Sequence, residues 1–240
     1  MRPQGSPGDL DPLNGDHSTV FGPELGEFPE RDREQGEAGD DELKTGTTTV
    51  GLTTENGVVL ATDMRASAGR MVSSKDVQKV EQIHPTGALT IAGSVSAAQS
   101  LIRSLRAEVR LYESRRGEDM SMEALSTLTS NFLRSGAFLI VAPLLGGVDE
   151  DGPHVFSLDP LGGMMEEEYA VSGSGSQYAL GVLEQEYDEE LTTGEARTVA
   201  ARAIQSAVER DLASGNGINV AVVTEEGVEI ERHKDFEDLL

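Results

Sequence analysis

Few side chains in this 240-residue chain are equipped to break bonds, and elimination leads to a threonine. The four histidines, His17, His84, His154 and His233, are scattered without metal-ligand spacing. Cysteine is absent, which excludes disulfides, thiolate metal sites and a cysteine nucleophile. No G-x-S-x-G elbow occurs, because neither Ser174 nor Ser176 has glycine at both flanking offsets. Gly173-Ser174-Gly175-Ser176 resembles a phosphate loop only loosely, lacking the third glycine of a dinucleotide fingerprint and the lysine of a P-loop. What remains is Gly46-Thr47-Thr48-Thr49-Val50-Gly51. A threonine hydroxyl is a poor nucleophile until a base takes its proton. The nearest nitrogen is the residue's own, and inside a chain it is a non-basic amide. Cutting the Gly46–Thr47 bond makes it an α-amine with a pKa of about 7.7–8.0, appreciably neutral near pH 7. Thr47 then carries nucleophile and base together. Gly46 suits the cut because it bares its carbonyl to the hydroxyl.

The elements that must position this threonine can be read from residue 47 onward. TTTVGLTT and VVLATD flank Asn56-Gly57, a strong hairpin signal. Short strands are expected around Gly69 and around Gly87. A helix is expected after Ser94, with Ala98, Leu101, Ile102, Leu105, Val109 and Tyr112 at helical spacing and an end near Gly117. A second helix carries Met122, Leu125, Leu128 and Phe132 on one face. The apolar run FLIVAPLL, residues 138–145, is short and contains Pro143, so a buried strand is expected there. Turns at Asp151-Gly152 and Asp159-Pro160 bound a further strand, and EEYAVSG reads as another. Ala179, Leu180, Leu183 and Tyr187 mark a helix from about Ser176. Thr192 and Glu195 have capping-box spacing ahead of a helix bearing Val199, Ala200, Ala203, Ile204, Ala207 and Val208. INVAVVT and VEIE close the chain as a hairpin. Strands, two helices, strands, two helices and strands predict one α+β domain with layered sheets.

Residues 1–46 have a different texture, rich in Pro, Gly, Asp and Glu with isolated apolar residues. Such a segment cannot bury enough apolar surface to offset its ordering entropy. Composition leaves it as a disordered tail, an interaction arm or a processed pro-segment. The net charge is −24 and the pI about 4.4, a surface that repels phosphate backbones and argues against nucleic-acid binding. Residues 47–240 alone retain −16, so the acidity belongs to the body of the protein. It fits a salt-rich cytoplasm, where the Debye length falls to about 3 Å at 1 M and like charges are tolerated. No window approaches eighteen apolar residues, so no membrane span is expected. No apolar signal-peptide core opens the sequence, and the cytoplasm is the expected compartment.

Six ordered blocks follow the Gly-Thr-Thr-Thr-Val-Gly stretch: GVVLATDMRAS, SSKDVQKVEQI, IAGSVSAAQ, LDPLGG, SGSGS and ERDLASGNGI. Together, from Gly46 to about Thr224, they resemble the β subunits of the archaeal 20S proteasome. The resemblance implies an N-terminal-nucleophile hydrolase fold, a four-layer αββα sandwich. It implies a propeptide, residues 1–46, removed autocatalytically, and a mature catalytic domain, residues 47–240. Thr47 matches the catalytic threonine, Asp63 the buried carboxylate beside it, and Lys79 the lysine between them. An ammonium there favours the neutral form of the α-amine, and the carboxylate keeps it charged and oriented. Ser174, Asp211 and Ser214 match the group that orients the amine. Gly93 matches the backbone donor of the oxyanion hole, a kind of group that contributes about 2.7–4 kcal/mol. Arg65 matches a structural arginine. Ala66, Val77, Ile91 and Val95 match the first specificity pocket, which implies cleavage after hydrophobic residues, with Glu81 and Gln99 also on its wall. Ser67 matches a position that binds an extended substrate as an added strand. The resemblance also implies heptameric β rings, two per particle, stacked within α rings, an ATPase partner, unfolded protein substrates, and no cofactor or metal.

Taken singly these residues read differently. Asp63 alone is a strand-end turn residue, Lys79 a solvated lysine, Gly93 a bend and Ser174 a turn serine, while Asp211 and Ser214 cap a helix end. Three alternatives also stand at this stage: an inactive ring subunit, a bacterial-type two-component protease subunit, and a small-substrate amidohydrolase of the same fold.

Overall fold

The computed structural model describes residues 46–68, 71–138 and 140–240. The segment expected to be removed lies outside the described residues apart from Gly46, as does the turn at Gly69.

β-branched residues dominate β1 (Thr48–Thr54) and β2 (Gly57–Asp63), which form the first hairpin. They lie inside an antiparallel sheet of order β10-β1-β2-β11-β12, where β10 is Tyr169–Gly173, β11 Ile218–Thr224 and β12 Gly227–His233. A second antiparallel sheet joins β5 (Val80–His84), β6 (Gly87–Thr90), β7 (Leu144–Asp149), β8 (Gly152–Leu158) and β9 (Met164–Glu166) in sequence order. β3 (Ala66–Ala68) and β4 (Met71–Ser74) make a separate two-stranded ribbon.

Alternation along the strands sorts side chains into three apolar layers. Leu89, Leu145 and Phe156 point one way and pack with Leu101, Leu105 and Leu125 of α1 (Val95–Arg116) and α2 (Met122–Phe132). Their neighbours Ala88, Leu144 and Val155 point the other way and meet Val58, Leu60 and Ala221 of the first sheet. Val59, Ala61 and Val220 face outward again, onto Ala179 and Leu183 of α3 (Ser176–Glu186) and Ala200 and Ile204 of α4 (Thr193–Arg210). The result is the expected α+β, four-layer αββα sandwich.

The helix termini follow the sequence signals. Ser94 caps α1 by accepting from the Ala97 N–H, and Gly117 ends it in the left-handed conformation. Thr192 and Glu195 form the capping box of α4. One expectation needs correction. FLIVAPLL is not a strand along its length: β7 begins only at Leu144, after Pro143, and ahead of it the run is tied by a bridge between Val141 and Gly93 and by the Ala142 and Pro143 carbonyls, which accept from the Ser172 hydroxyl and the Leu158 N–H. Pro143 has no N–H to enter a ladder, and residues beyond it do so. Asn56-Gly57 marks the hairpin as expected. Gly57 opens β2, and a Cβ there would lie 2.4 Å from the Val223 carbonyl oxygen of β11, so glycine serves a close approach.

Leu60 is fully buried between the sheets and away from the hairpin's open end. Leu60→Ala is expected to cost about 2–5 kcal/mol through the cavity it leaves, read as a lower urea midpoint at unchanged slope.

Candidate active site

Thr47 stands immediately before β1 and is 3% exposed, with its bond to Gly46 intact. The β1–β2 register pairs Thr49 with Thr62, which brings Thr48 against Asp63 at the open end of the hairpin. The Thr48 N–H donates to Asp63 Oδ1 at 3.1 Å. On the other carboxylate oxygen, Oδ2, the backbone N–H groups of Arg65 and Gly215 donate at 3.0 and 2.9 Å. Lys79, just before β5, reaches in from the second sheet. Its Nζ lies 2.8 Å from Asp63 Oδ1 and 3.1 Å from Thr47 Oγ1. Asp63 and Lys79 are 0% and 1% exposed, so Asp63, which does end β2, is buried, and Lys79 is not the solvated lysine it resembles when read alone.

Burial, the largest influence on Lys79, lowers the ammonium pKa below its usual range. The charge and hydrogen bond of Asp63 oppose it, with help from Asp211, while Arg65 adds to the lowering. Thr47 Oγ1 donates to the Gly46 carbonyl oxygen at 2.7 Å, and the Gly46 N–H donates to Ser67 Oγ at 3.2 Å. The hydroxyl is thus held against the residue that precedes it.

A second chain of hydrogen bonds starts at the Thr47 nitrogen. Its N–H donates to Ser174 Oγ at 3.2 Å, and Ser174 donates to Asp211 Oδ2 at 2.6 Å. Ser214 donates to the same oxygen at 2.7 Å. Since the Ser214 proton is committed to the carboxylate, Thr48 Oγ1, 2.7 Å from Ser214 Oγ, is the donor in that contact. Glycines make these approaches sterically feasible. A Cβ on Gly173 (φ +95°) would fall 2.0 Å from the Thr47 carbonyl oxygen, and one on Gly175 would fall 2.1 Å from Thr48 Oγ1. The loosely phosphate-like GSGS is therefore a close-packing segment. Arg65 ties the loop bearing Asp211 by donating to the Leu212 carbonyl at 2.7 Å and to Asn216 Oδ1 at 2.9 Å.

Gly93, between β6 and α1, has φ +111°, and a Cβ would meet the Ile140 carbonyl oxygen at 1.7 Å. Its bridge to Val141 is built by its neighbours, Ser94 N–H to Ile140 and Ala142 N–H to the Ala92 carbonyl, so the bridge does not use Gly93's own N–H. Ala66, Val77 and Val95 are half-buried. Ile91 is 3% exposed within the core beneath α1 and presents little surface to a ligand. Glu81 is engaged by Arg106 at 2.9 Å and Gln99 is exposed. A cavity of about 690 Å³ lies elsewhere, between α1 and α2, and none of its lining residues belongs to this cluster. Among the described residues no group of three or more His, Asp or Glu side chains is arranged to hold a metal ion.

Reading the residues overlooked three contributors: Thr48, which serves both hydrogen-bond systems, the Gly215 N–H, and the Ser67 hydroxyl. The threonine run and the Gly215-Asn216-Gly217 loop, where all three φ values are positive, were the available signals.

A four-layer αββα sandwich whose first strand opens beside a buried threonine, lysine and aspartate has the architecture of the N-terminal-nucleophile hydrolases. Residues 43–223 match the family described as Proteasome subunit, and the chain belongs to that family. It is 76% identical over 230 residues to a protein of Haloquadratum walsbyi named Proteasome subunit beta, covering 96% of this chain and 95% of the relative. The corresponding protein of Haloferax volcanii, with the same name, is 75% identical over 232 residues, covering 97% and 96%. That of Halorubrum lacusprofundi is 71% identical over 227 residues, covering 94% and 93%. These haloarchaeal relatives agree with the salt-adapted origin read from the acidity.

Lys79→Met removes one partner of a fully buried ion pair and leaves the Asp63 charge uncompensated. It is expected to destabilise the fold by about 3–5 kcal/mol, measured by denaturant unfolding.

Proposed function

We propose that the chain is the catalytic β subunit of a 20S proteasome, a threonine endopeptidase made as a proenzyme and activated by cleavage between Gly46 and Thr47. The observation that carries this reading is the double engagement of Thr47 Oγ1, 2.7 Å from the Gly46 carbonyl oxygen and 3.1 Å from Lys79 Nζ.

In the precursor the Thr47 nitrogen is an amide and takes no proton. Lys79 is the basic group in contact with the hydroxyl, and its burial enlarges the neutral fraction able to act as base. Oγ1 attacks the Gly46 carbonyl carbon, the peptide bond gives way to an ester, and water releases residues 1–46. The same nitrogen is now an α-amine. Ser174, whose proton is committed to Asp211, accepts from the amine and leaves its lone pair free for the hydroxyl proton. Oγ1 then attacks a substrate carbonyl to give an acyl-enzyme, and the amine passes the proton to the departing nitrogen. The charged form of Lys79 now holds Oγ1 and disfavours protonation of the nearby amine. The free N–H of Gly93 serves as oxyanion donor. Ala66, Val77 and Val95 shape the pocket beside the cleaved bond, and the Ser67 position takes an extended substrate. Chains of this kind assemble with α subunits in the cytoplasm, as two heptameric β rings fed with unfolded protein by an ATPase.

N-terminal mapping of assembled particles tests the reading. Wild type is expected to begin at Thr47 and to hydrolyse a fluorogenic peptide, whereas Thr47→Ala keeps residues 1–46 and is inactive. An active particle that retains them would overturn it. The pH–rate profile is expected to be bell-shaped. Its acid limb follows the α-amine, at about 7.7–8.0 or lower, because the neutral form is required. Its basic limb follows loss of the Lys79 proton, which burial moves below the ordinary 10.5.

A further inference from the structure

Asn219 is a polar side chain in the largely apolar layer between the sheets. Alternation along β11 puts it on the face of Ala221 and Val223, and its strand partner Thr62 on the face of Val58 and Leu60. An aliphatic side chain is the ordinary occupant of such a position. Asn219 is 0% exposed, and its Oδ1 has no hydrogen-bond partner, so the fold carries a desolvation cost that a leucine would not impose.

The other end of the amide is fully engaged. Nδ2 donates to Thr62 Oγ1 at 2.9 Å and to the Val77 carbonyl at 3.1 Å, with the Asp63 carbonyl at 3.4 Å. Exchanging oxygen and nitrogen would turn Oδ1 onto two carbonyl oxygens, so these contacts fix the amide's orientation. Thr62 immediately precedes Asp63 and donates its hydroxyl proton to the Asp63 carbonyl at 3.1 Å. Val77 lies two residues before Lys79. One amide therefore joins the strand end that carries the aspartate to the segment that carries the lysine.

We propose that Asn219 is a positioning residue for the reaction, clamping these two segments so that Lys79 Nζ stays between Asp63 Oδ1 and Thr47 Oγ1. The inference rests on the roles proposed above for Thr47, Asp63 and Lys79. Asn219 touches neither the threonine nor the peptide being cut, and it acts through the lysine. Without it the segment keeps its Val77 N–H bond to the Met64 carbonyl and its Lys79 carbonyl bond from Ile91, so the fold survives. What is lost is the tie that fixes the lysine's reach. The charged groups acting on Lys79 are Asp63, Asp211 and Arg65. When the approach to Asp63 loosens, burial and Arg65 gain weight and the ammonium gives up its proton at lower pH.

The test compares wild type, Asn219→Leu and Thr47→Ala as full-length chains assembled with α subunits, assayed on a short fluorogenic peptide. Asn219→Leu is expected to keep its unfolding midpoint while kcat falls about tenfold to a hundredfold, the loss typical of a small misplacement. KM changes little, and the basic limb of the pH profile moves to lower pH. A folded Asn219→Leu particle whose basic limb stays in place overturns the proposal, whether or not kcat falls, because a merely structural role would not move that limb. If Asn219→Leu does not assemble, Thr62→Val, which removes the hydroxyl at nearly constant shape, is expected to shift the limb in the same direction. An unmoved limb there overturns the proposal equally. Activity in Thr47→Ala would instead refute the underlying reading of the site.

Discussion

A lysine and an aspartate buried together, neither reaching water, set the terms for the rest of this structure. Removing two charges from solvent costs several kcal/mol per ion, and their mutual attraction offsets this only when the geometry is good and the remaining lone pairs are occupied. Asp63 meets that condition with four donors: Lys79 Nζ and the N–H groups of Thr48, Arg65 and Gly215. Those donors come from β1, from the link between β2 and β3, from the loop before β5 and from the loop before β11. The pair therefore forms only when both sheets are in register and stacked, so the cluster is a product of the finished fold. The threonine hydroxyl is the second acceptor of the ammonium.

Glycine supplies the rest of the geometry at a few places. A Cβ at Gly215 would strike the Arg65 guanidinium at 2.3 Å, and at Gly93 or Gly173 it would strike a backbone carbonyl. Gly173 lets its strand approach the Thr47 carbonyl, Gly215 admits the Arg65 guanidinium, and Gly93 admits the Ile140 carbonyl. The large negative charge of the chain sits outside this arrangement. The buried site balances one ammonium against one carboxylate, while the excess of acids lies on a surface that salt can screen.

Much of this was legible beforehand because the signals were periodic. The buried stripe of α1, the capping box of α4 and the closing hairpin needed only local rules, and all three appear where the residues place them. FLIVAPLL misled because hydrophobicity reports burial, not strand geometry; Phe138 and Val141 pack in the core with α1, and the strand begins only beyond Pro143. The site divides in the same way. Thr47 stood out through its chemistry, but Asp63 and Lys79 taken singly look like a turn residue and a surface lysine, and their burial depends on contacts between distant segments. Ser67 and Asn219 carried no local signal, and Thr48 only its place in the threonine run, since a threonine, a serine and an asparagine in or beside strands acquire their roles from what packs against them.

The central claim is that one residue supplies both the nucleophile and its base. Because an α-amine titrates about two to three pH units below lysine side chains, it can be acetylated selectively near neutral pH while the hydroxyl is left untouched. Peptide mapping gives the fraction of N-acetylated Thr47, and the same sample gives the remaining peptidase activity. The account predicts that activity falls in direct proportion to that fraction. A particle whose Thr47 amines were fully acetylated and which still cut peptides at the original rate would contradict it.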